Sequence, residues 1–138
     1  MKLIEEYESA EIGYHPFLIR DNWQVAKLNY VPELGMKELR KIEVHYKTDE
    51  VFILLKGTAV LISVQKKGNN LSFELVNMKE CIVYNIPKGI WHAIALNEKA
   101  ELIIVEDAYT HLGNYELYEM SEVQKKTLKA SIALCINK

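Results

Sequence analysis

Hydrophobic and polar residues alternate along short stretches between residues 23 and 106, and Gly, Pro and Asn residues separate these stretches. Alternation with period two is typical of half-buried strands, because successive side chains of a strand point to opposite faces. We therefore predict strands over residues 23–31, 39–46, 50–55, 59–65, 71–76, 81–86, 90–96 and 102–106. Such a series of strands favours a sandwich or a barrel over a βαβ fold.

The end of the chain follows a different pattern. Apolar side chains recur there at near-helical spacing, and Ser121 is a suitable N-cap. We therefore predict a helix over about residues 121–135, packed on the barrel or on a partner subunit. Together the two patterns predict one all-β domain over residues 1–138, with its barrel core at about 23–107 and a short C-terminal helix.

Composition narrows the classes of function. The 138 residues are 49% hydrophobic and 26% charged, and the net charge is −2, so no basic surface for nucleic acid or anionic membrane is expected. The longest apolar stretches are far shorter than a membrane span, and the first residues lack the pattern of a secretory signal. Two cysteines form neither a metal-binding spacing nor a disulfide framework. These features predict a cytoplasmic protein.

Candidate chemistry lies on the strand at 39–46. Period two places Lys41, Glu43 and His45 on one face of this strand. If that face lines the barrel, a carboxylate and an imidazole are buried together. This is costly unless the two groups pair or hold a cation.

Two segments resemble the conserved motifs of the cupin superfamily. Glu43–Gly57 (EVHYKTDEVFILLKG) resembles the first motif, His-x-His, three or four residues, Glu, six residues and Gly. Pro87–His92 (PKGIWH) resembles the second, Pro-x-Gly-x-x-His. The resemblance implies a jelly-roll barrel, also called a double-stranded β-helix, which is often dimeric.

The resemblance also implies a site for one divalent cation. Carried over by position, its ligands are His45, Glu50 and His92, with Glu43 standing where the first histidine of the motif would be. Two imidazoles and two carboxylates suit iron, manganese, nickel or zinc. The same four groups can instead satisfy one another without a metal, so both alternatives stay open.

The sequence departs from the cupin pattern at three further positions. The glycines expected six residues before Pro87 and six before the first motif position are Cys81 and Lys37, which bear on turn geometry. The asparagine expected four residues after His92 is Leu96.

Several other residues are candidates for a pocket or for its surroundings. Lys41, Phe52 and Trp91 are predicted to line a ligand pocket, although core or interface positions are the alternative for the aromatic residues. His15 and His111 are predicted to be ordinary surface histidines, with His111 near enough to the last strand to approach the barrel mouth. A tyrosine-rich run forms a lid or packs the tail onto the barrel: Tyr109, Tyr115 and Tyr118.

These observations predict a small-molecule-binding cupin of undetermined activity. One hypothesis is a metal-dependent enzyme that acts on a sugar, a sugar phosphate or a small carboxylic acid, with Glu43 or Glu50 as a base if it is not a ligand. A second is a ligand-sensing module, with or without a metal. A third is a structural module that dimerises through the barrel face and the C-terminal helix. The expected partners are a small molecule and a second copy of the chain.

Overall fold

A computed structural model describes residues 2–138, which form two five-stranded antiparallel sheets and a C-terminal helix. The elements in chain order are β1 (Tyr14–Ile19), β2 (Gln24–Asn29), β3 (Lys41–His45), β4 (Glu50–Lys56), β5 (Ala59–Lys67), β6 (Asn70–Asn77), β7 (Val83–Ile86), β8 (Trp91–Leu96), β9 (Glu101–Glu106), β10 (Tyr115–Glu119) and α1 (Glu122–Ile136). The prediction of an all-β jelly-roll barrel with a C-terminal helix is therefore confirmed.

The two sheets enclose the main hydrophobic core. The first sheet has the order β1-β2-β9-β4-β7 and the second β10-β3-β8-β5-β6. Burial alternates along β2 and β9, as period two requires, so one face of each strand turns inward. The inward side chains pack between the sheets and include Leu28, Phe52, Leu61, Leu102 and Ile104.

The helix covers the outer face of the second sheet. Leu128 and Ile132 of α1 are buried there in a second cluster that includes Ile42 and Ile62. Ser121 is the N-cap, and it exchanges hydrogen bonds with Gln124 in a capping box. Of the two predicted contacts for this helix, the structure shows packing on its own barrel. No helix within residues 2–138 is both long enough and apolar enough to cross a membrane.

Two strands lie outside the predicted barrel core of about 23–107. Strand β1 carries Pro16 and has a register shift beside it, as edge strands tolerate. All six of its residues are half-buried, so no alternation marks the strand in the sequence. Strand β10 pairs with β3 but is mostly exposed, which removes its hydrophobic signal.

Two turn positions relate to the motif glycines. Gly57 has φ +80°, and a Cβ atom there would lie 2.5 Å from the backbone of Ala100, so this position requires glycine. Cys81 also has a positive φ of 65°, at the position where the cupin pattern has glycine. The predicted strand at 81–86 accordingly begins later, at Val83, because the left-handed backbone at Cys81 forms a turn.

Candidate metal centre

Three strands, two from the second sheet and one from the first, bring four polar side chains together inside the barrel. Strand β3 supplies Glu43 and His45, β4 begins at Glu50, and β8 supplies His92. Glu43 and His92 are directly paired across β3 and β8, so their side chains share the inner face. One donor atom from each of the four residues lies within 4.8 Å of the others. The residues that the cupin motifs indicate therefore converge on one point.

The donor atoms are spaced as metal ligands are. His92 Nε2 lies 2.8 Å from Glu50 Oε1, and His45 Nε2 lies 3.3 Å from the same oxygen. Glu43 Oε1 lies 3.6 Å from His92 Nε2 and 3.7 Å from His45 Nε2. Ligand atoms at about 2.1 Å from a cation lie roughly 3.0 Å apart at right angles and roughly 3.4 Å apart in a tetrahedron. The four groups therefore fit a transition-metal ion.

The hydrogen bonds of His92 agree with this fit. His92 Nδ1 lies 3.0 Å from the carbonyl oxygen of Ile90, to which it donates, so the neutral ring turns its Nε2 lone pair toward Glu50. A backbone carbonyl holds many metal-binding histidines in this tautomer. An imidazole lone pair facing a carboxylate at 2.8 Å needs a positive charge between them, either a cation or a proton.

In the metal-free cluster, the proton takes the place of the cation. Burial opposes ionisation of Glu50, but hydrogen bonds from His45 and His92 outweigh it and lower the pKa of Glu50 to about 2. Burial likewise opposes charge on His45, but Glu43 and Glu50 raise its pKa to about 10. The pKa of His92 is also raised, because its bond to Glu50 outweighs its burial. The metal-free cluster thus holds charged imidazoles against charged carboxylates.

A second polar cluster lies beside the first and was not predicted from the sequence. Glu106 is only 6% exposed, and its Oε1 accepts a hydrogen bond of 3.1 Å from the Tyr14 hydroxyl. No donor within residues 2–138 reaches its Oε2. Burial and the adjacent Glu50 charge raise the pKa of Glu106 to about 9, so its carboxyl keeps its proton at neutral pH. Gln24, which is fully buried, bonds to both Tyr14 and His111.

Both clusters line one cavity of about 380 Å³, within the usual size range of small-molecule sites. The predicted pocket residues Lys41 and Phe52 line this cavity, and the Phe52 ring packs edge-on against His92. The third, Trp91, does not. His92 points inward, so its neighbour Trp91 points outward. There it packs in the cluster beneath α1, edge-on to Tyr118.

The remaining histidines differ from each other. His15 bonds to Ser9 at 2.7 Å and lies away from the cavity, in a half-buried position. His111, predicted to be a surface residue, is half-buried and lines the cavity because the loop after β9 folds back over Gln24. Of the tyrosine-rich run, Tyr115 also lines the cavity.

One signal for Glu106 was present in the sequence. Leu102, Ile104 and Glu106 have the same parity on a predicted strand, which places a carboxylate in an inward row. Tyr14 had no such signal, because β1 shows no alternation. Gln24 and His111 meet only in the folded chain, since 87 positions separate them.

Comparisons with known proteins support the fold. No family model matches the sequence, and no curated protein sequence is significantly similar to it. Among solved structures, a variant of Streptomyces PAC13 with uridine is 13% identical at a TM-score of 0.58, with 90% of this chain and 98% of that chain covered.

Two more solved structures are similar. An RmlC-like cupin family protein with a double-stranded β-helix, from Methanocaldococcus jannaschii, is 14% identical at a TM-score of 0.52, covering 81% of this chain and 97% of that chain. A variant of the oxalate decarboxylase of Bacillus subtilis is 20% identical at a TM-score of 0.53. There the match covers 80% of this chain but only 30% of the longer enzyme. With the barrel topology, these likenesses show that the chain has the fold of a small cupin domain.

Proposed function

We propose that this protein binds a small oxygen-bearing molecule, a sugar or a small carboxylate, at a divalent transition metal in the barrel cavity. The observation that carries the proposal is the convergence of Glu43, His45, Glu50 and His92 within 4.8 Å on the wall of that cavity. Two imidazoles and two carboxylates favour iron, manganese, nickel or zinc. Such an ion, when bound, polarises a carbonyl or hydroxyl oxygen of the ligand.

The protein's own residues fit the binding of such a molecule. The Glu43 side chain is 37% exposed, so a ligand can contact it more easily than the other three side chains of the cluster. Lys41 lies two residues before it on the same face, also lines the cavity, and is exposed. An ammonium group there attracts an anionic ligand. The name of oxalate decarboxylase and the uridine of the PAC13 structure support a ligand rich in oxygen atoms.

The alternative is a metal-free module that senses a ligand. One observation favours it: the charged imidazoles already face the carboxylates at 2.8–3.7 Å, so their opposite charges balance without a metal. A ligand would then bind beside an ionic cluster, and Lys41 would be the group that attracts it.

Metal loading distinguishes the two candidates. After equilibration with Co²⁺, Mn²⁺ or Zn²⁺ and removal of free metal, we expect elemental analysis to find about one ion per chain. His92→Ala should hold none under the same conditions, because it loses a buried ligand. The control is His15→Ala, which alters a histidine away from the cavity.

The visible absorption of Co²⁺ gives a second readout, since it reports the ligands directly. A chain that holds no ion under metal-replete conditions, and whose stability a chelator leaves unchanged, would exclude the metal-dependent function and favour the sensing module.

We also propose that the chain forms a homodimer through the outer face of the first sheet. This face carries apolar side chains on β4, β7 and β9, of which Val83 is 63% exposed, whereas α1 covers the other sheet. Contiguous exposed apolar surface is typical of association sites. Light scattering at several concentrations should give the mass of a dimer. A monomer at high micromolar concentration would refute this arrangement.

A further inference from the structure

The polar cluster around Glu106 has a definite layout. Tyr14, Glu106 and His111 line the cavity, and Gln24 lies behind them, fully buried. The hydrogen bonds join residues 10 to 92 positions apart in the chain, so only the folded barrel assembles the cluster. A fully buried amide held by three hydrogen bonds is a rigid support for the side chains in front of it.

The orientation of the Gln24 amide follows from the loop behind it. Its Oε1 accepts a hydrogen bond of 2.7 Å from the backbone N–H of Tyr109, which identifies that atom as the oxygen. The Nε2 atom then has two hydrogens to donate. One goes to the Tyr14 hydroxyl at 3.1 Å and the other to His111 Nδ1 at 3.2 Å. Both hydrogens of the amide are therefore used, and neither neighbour can be turned without breaking a buried bond.

This bond fixes the tautomer of His111. Because Nδ1 accepts a hydrogen from Gln24, the neutral ring carries its proton on Nε2, at the other edge of the ring. Nε2 bonds to no acceptor among the hydrogen bonds of residues 2–138. His111 thus offers a hydrogen-bond donor in a half-buried position on the cavity wall.

Tyr14 offers the complementary group. Its hydroxyl accepts from Gln24 and donates to Glu106 at 3.1 Å, which uses its only hydrogen and leaves a lone pair. The Tyr14 and His111 rings lie side by side, with centroids 6.3 Å apart. A ligand hydroxyl can accept from His111 and donate to Tyr14 at the same time.

We infer that Tyr14 and His111, held by Gln24, form a second recognition site for a hydroxyl group of a ligand whose other end binds at the metal centre. Glu106 joins the two sites, because it bonds to Tyr14 and lines the same cavity as Glu50. The ligand class is then a polyhydroxylated carboxylate or sugar, with oxygen atoms at both ends. This inference rests on the proposed function and adds the far end of the ligand to it.

A matched pair of acids tests only the recognition of the ligand's hydroxyl-bearing end by Tyr14 and His111. Threonate and α-hydroxybutyrate share a four-carbon chain and the same α-hydroxy-carboxylate head, but only threonate has hydroxyls further along. We expect metal-loaded protein to bind threonate about tenfold more tightly in calorimetry, the worth of about one hydrogen bond. His111→Phe should remove this preference, so that the variant binds the two acids with equal affinity. His15→Phe is the matched control and should keep the preference.

Gln24→Glu tests the positioning role without a ligand. The carboxylate keeps the shape of the amide but can only accept hydrogen bonds, so His111 must protonate Nδ1 to meet it. We expect ¹⁵N spectra of the histidines at about pH 8 to show a protonated Nε2 and a bare Nδ1 for His111 in the wild type. The Gln24→Glu protein should show a protonated Nδ1 for His111. The spectrum of His111→Phe assigns the signal.

The outcomes separate the inference from the proposed function. Equal binding of the two acids, with the metal in place, overturns the recognition site and leaves the metal site standing. A threonate preference that survives His111→Phe also overturns it, as does a wild-type His111 with its proton on Nδ1. If neither acid binds the metal-loaded protein, both ideas fail. A preference lost in His111→Phe, together with the tautomer change in Gln24→Glu, supports the inference.

Discussion

Replacing Glu50 with alanine is expected to lower the free energy of unfolding of the metal-free protein by about 3–5 kcal/mol at neutral pH. The Glu50 carboxylate lies 2.8 Å from His92 Nε2 and 3.3 Å from His45 Nε2, and all three side chains are buried. Its removal leaves two buried imidazoles without their nearest acceptor. This costs much more than the loss of an exposed ion pair.

Urea unfolding followed by circular dichroism, in the presence of a chelator, measures this loss. The matched control is Glu74→Ala, since Glu74 is also on a strand but is exposed, and its removal should change the free energy of unfolding by less than about 0.5 kcal/mol. Added metal should raise the unfolding temperature of the control and not that of the Glu50 variant. Equal stabilities of the two variants would show that Glu50 does not hold the histidines together.

The sequence predicts the barrel well where one face of a strand is buried. Strands β2 and β9 have strict alternation of burial, and period two identifies both. The period-two pattern does not identify β1 and β10, because these edge strands are partly exposed on both faces and show no alternation. The helix was predictable because Ser121 and Gln124 form its capping box, a feature local in sequence.

The first polar cluster was predictable for a different reason. Glu43, His45 and Glu50 lie within eight residues of one another, and a motif with fixed spacing carries His92. The second cluster has no such spacing, since Tyr14, Gln24 and Glu106 meet only through the pairing of β1, β2 and β9. Pairing register depends on tertiary packing, which a single sequence does not reveal.

The orientation of Trp91 follows from the alternation of side chains along strand β8. An inward His92 requires an outward Trp91, because adjacent residues of a strand face opposite sides. The same rule places Glu106 inward beside Ile104. Both positions followed from the period-two pattern once one residue of each strand was assigned to the interior. The tautomer of His111 did not, because it depends on a hydrogen bond to Gln24 across the barrel.

The free energy of unfolding of the metal-free protein is expected to fall as the pH rises from about 6.5 to about 9. Burial lowers the pKa of His45, but Glu43 and Glu50 outweigh it and raise the value from 6.5 to about 10. Burial and the Glu50 charge raise the pKa of Glu106 from 4.5 to about 9. A group whose pKa is raised by folding stabilises the fold fully below its unfolded pKa. That contribution is lost as the pH rises toward its folded pKa. Each extra proton held by the folded chain gives a slope of about 1.4 kcal/mol per pH unit.

Glu106→Gln isolates one of these protons. The amide keeps the shape of the protonated carboxyl, can still accept from Tyr14, and does not ionise. We therefore expect the free energy of unfolding of Glu106→Gln to fall less steeply with pH than that of the wild type, by about 1.4 kcal/mol per pH unit. The variant should then be the more stable protein near pH 8. Urea unfolding in chelator at several pH values measures both curves. Parallel curves would mean that Glu106 is already ionised in the folded protein, with a cation or water satisfying its buried oxygen instead of a shared proton.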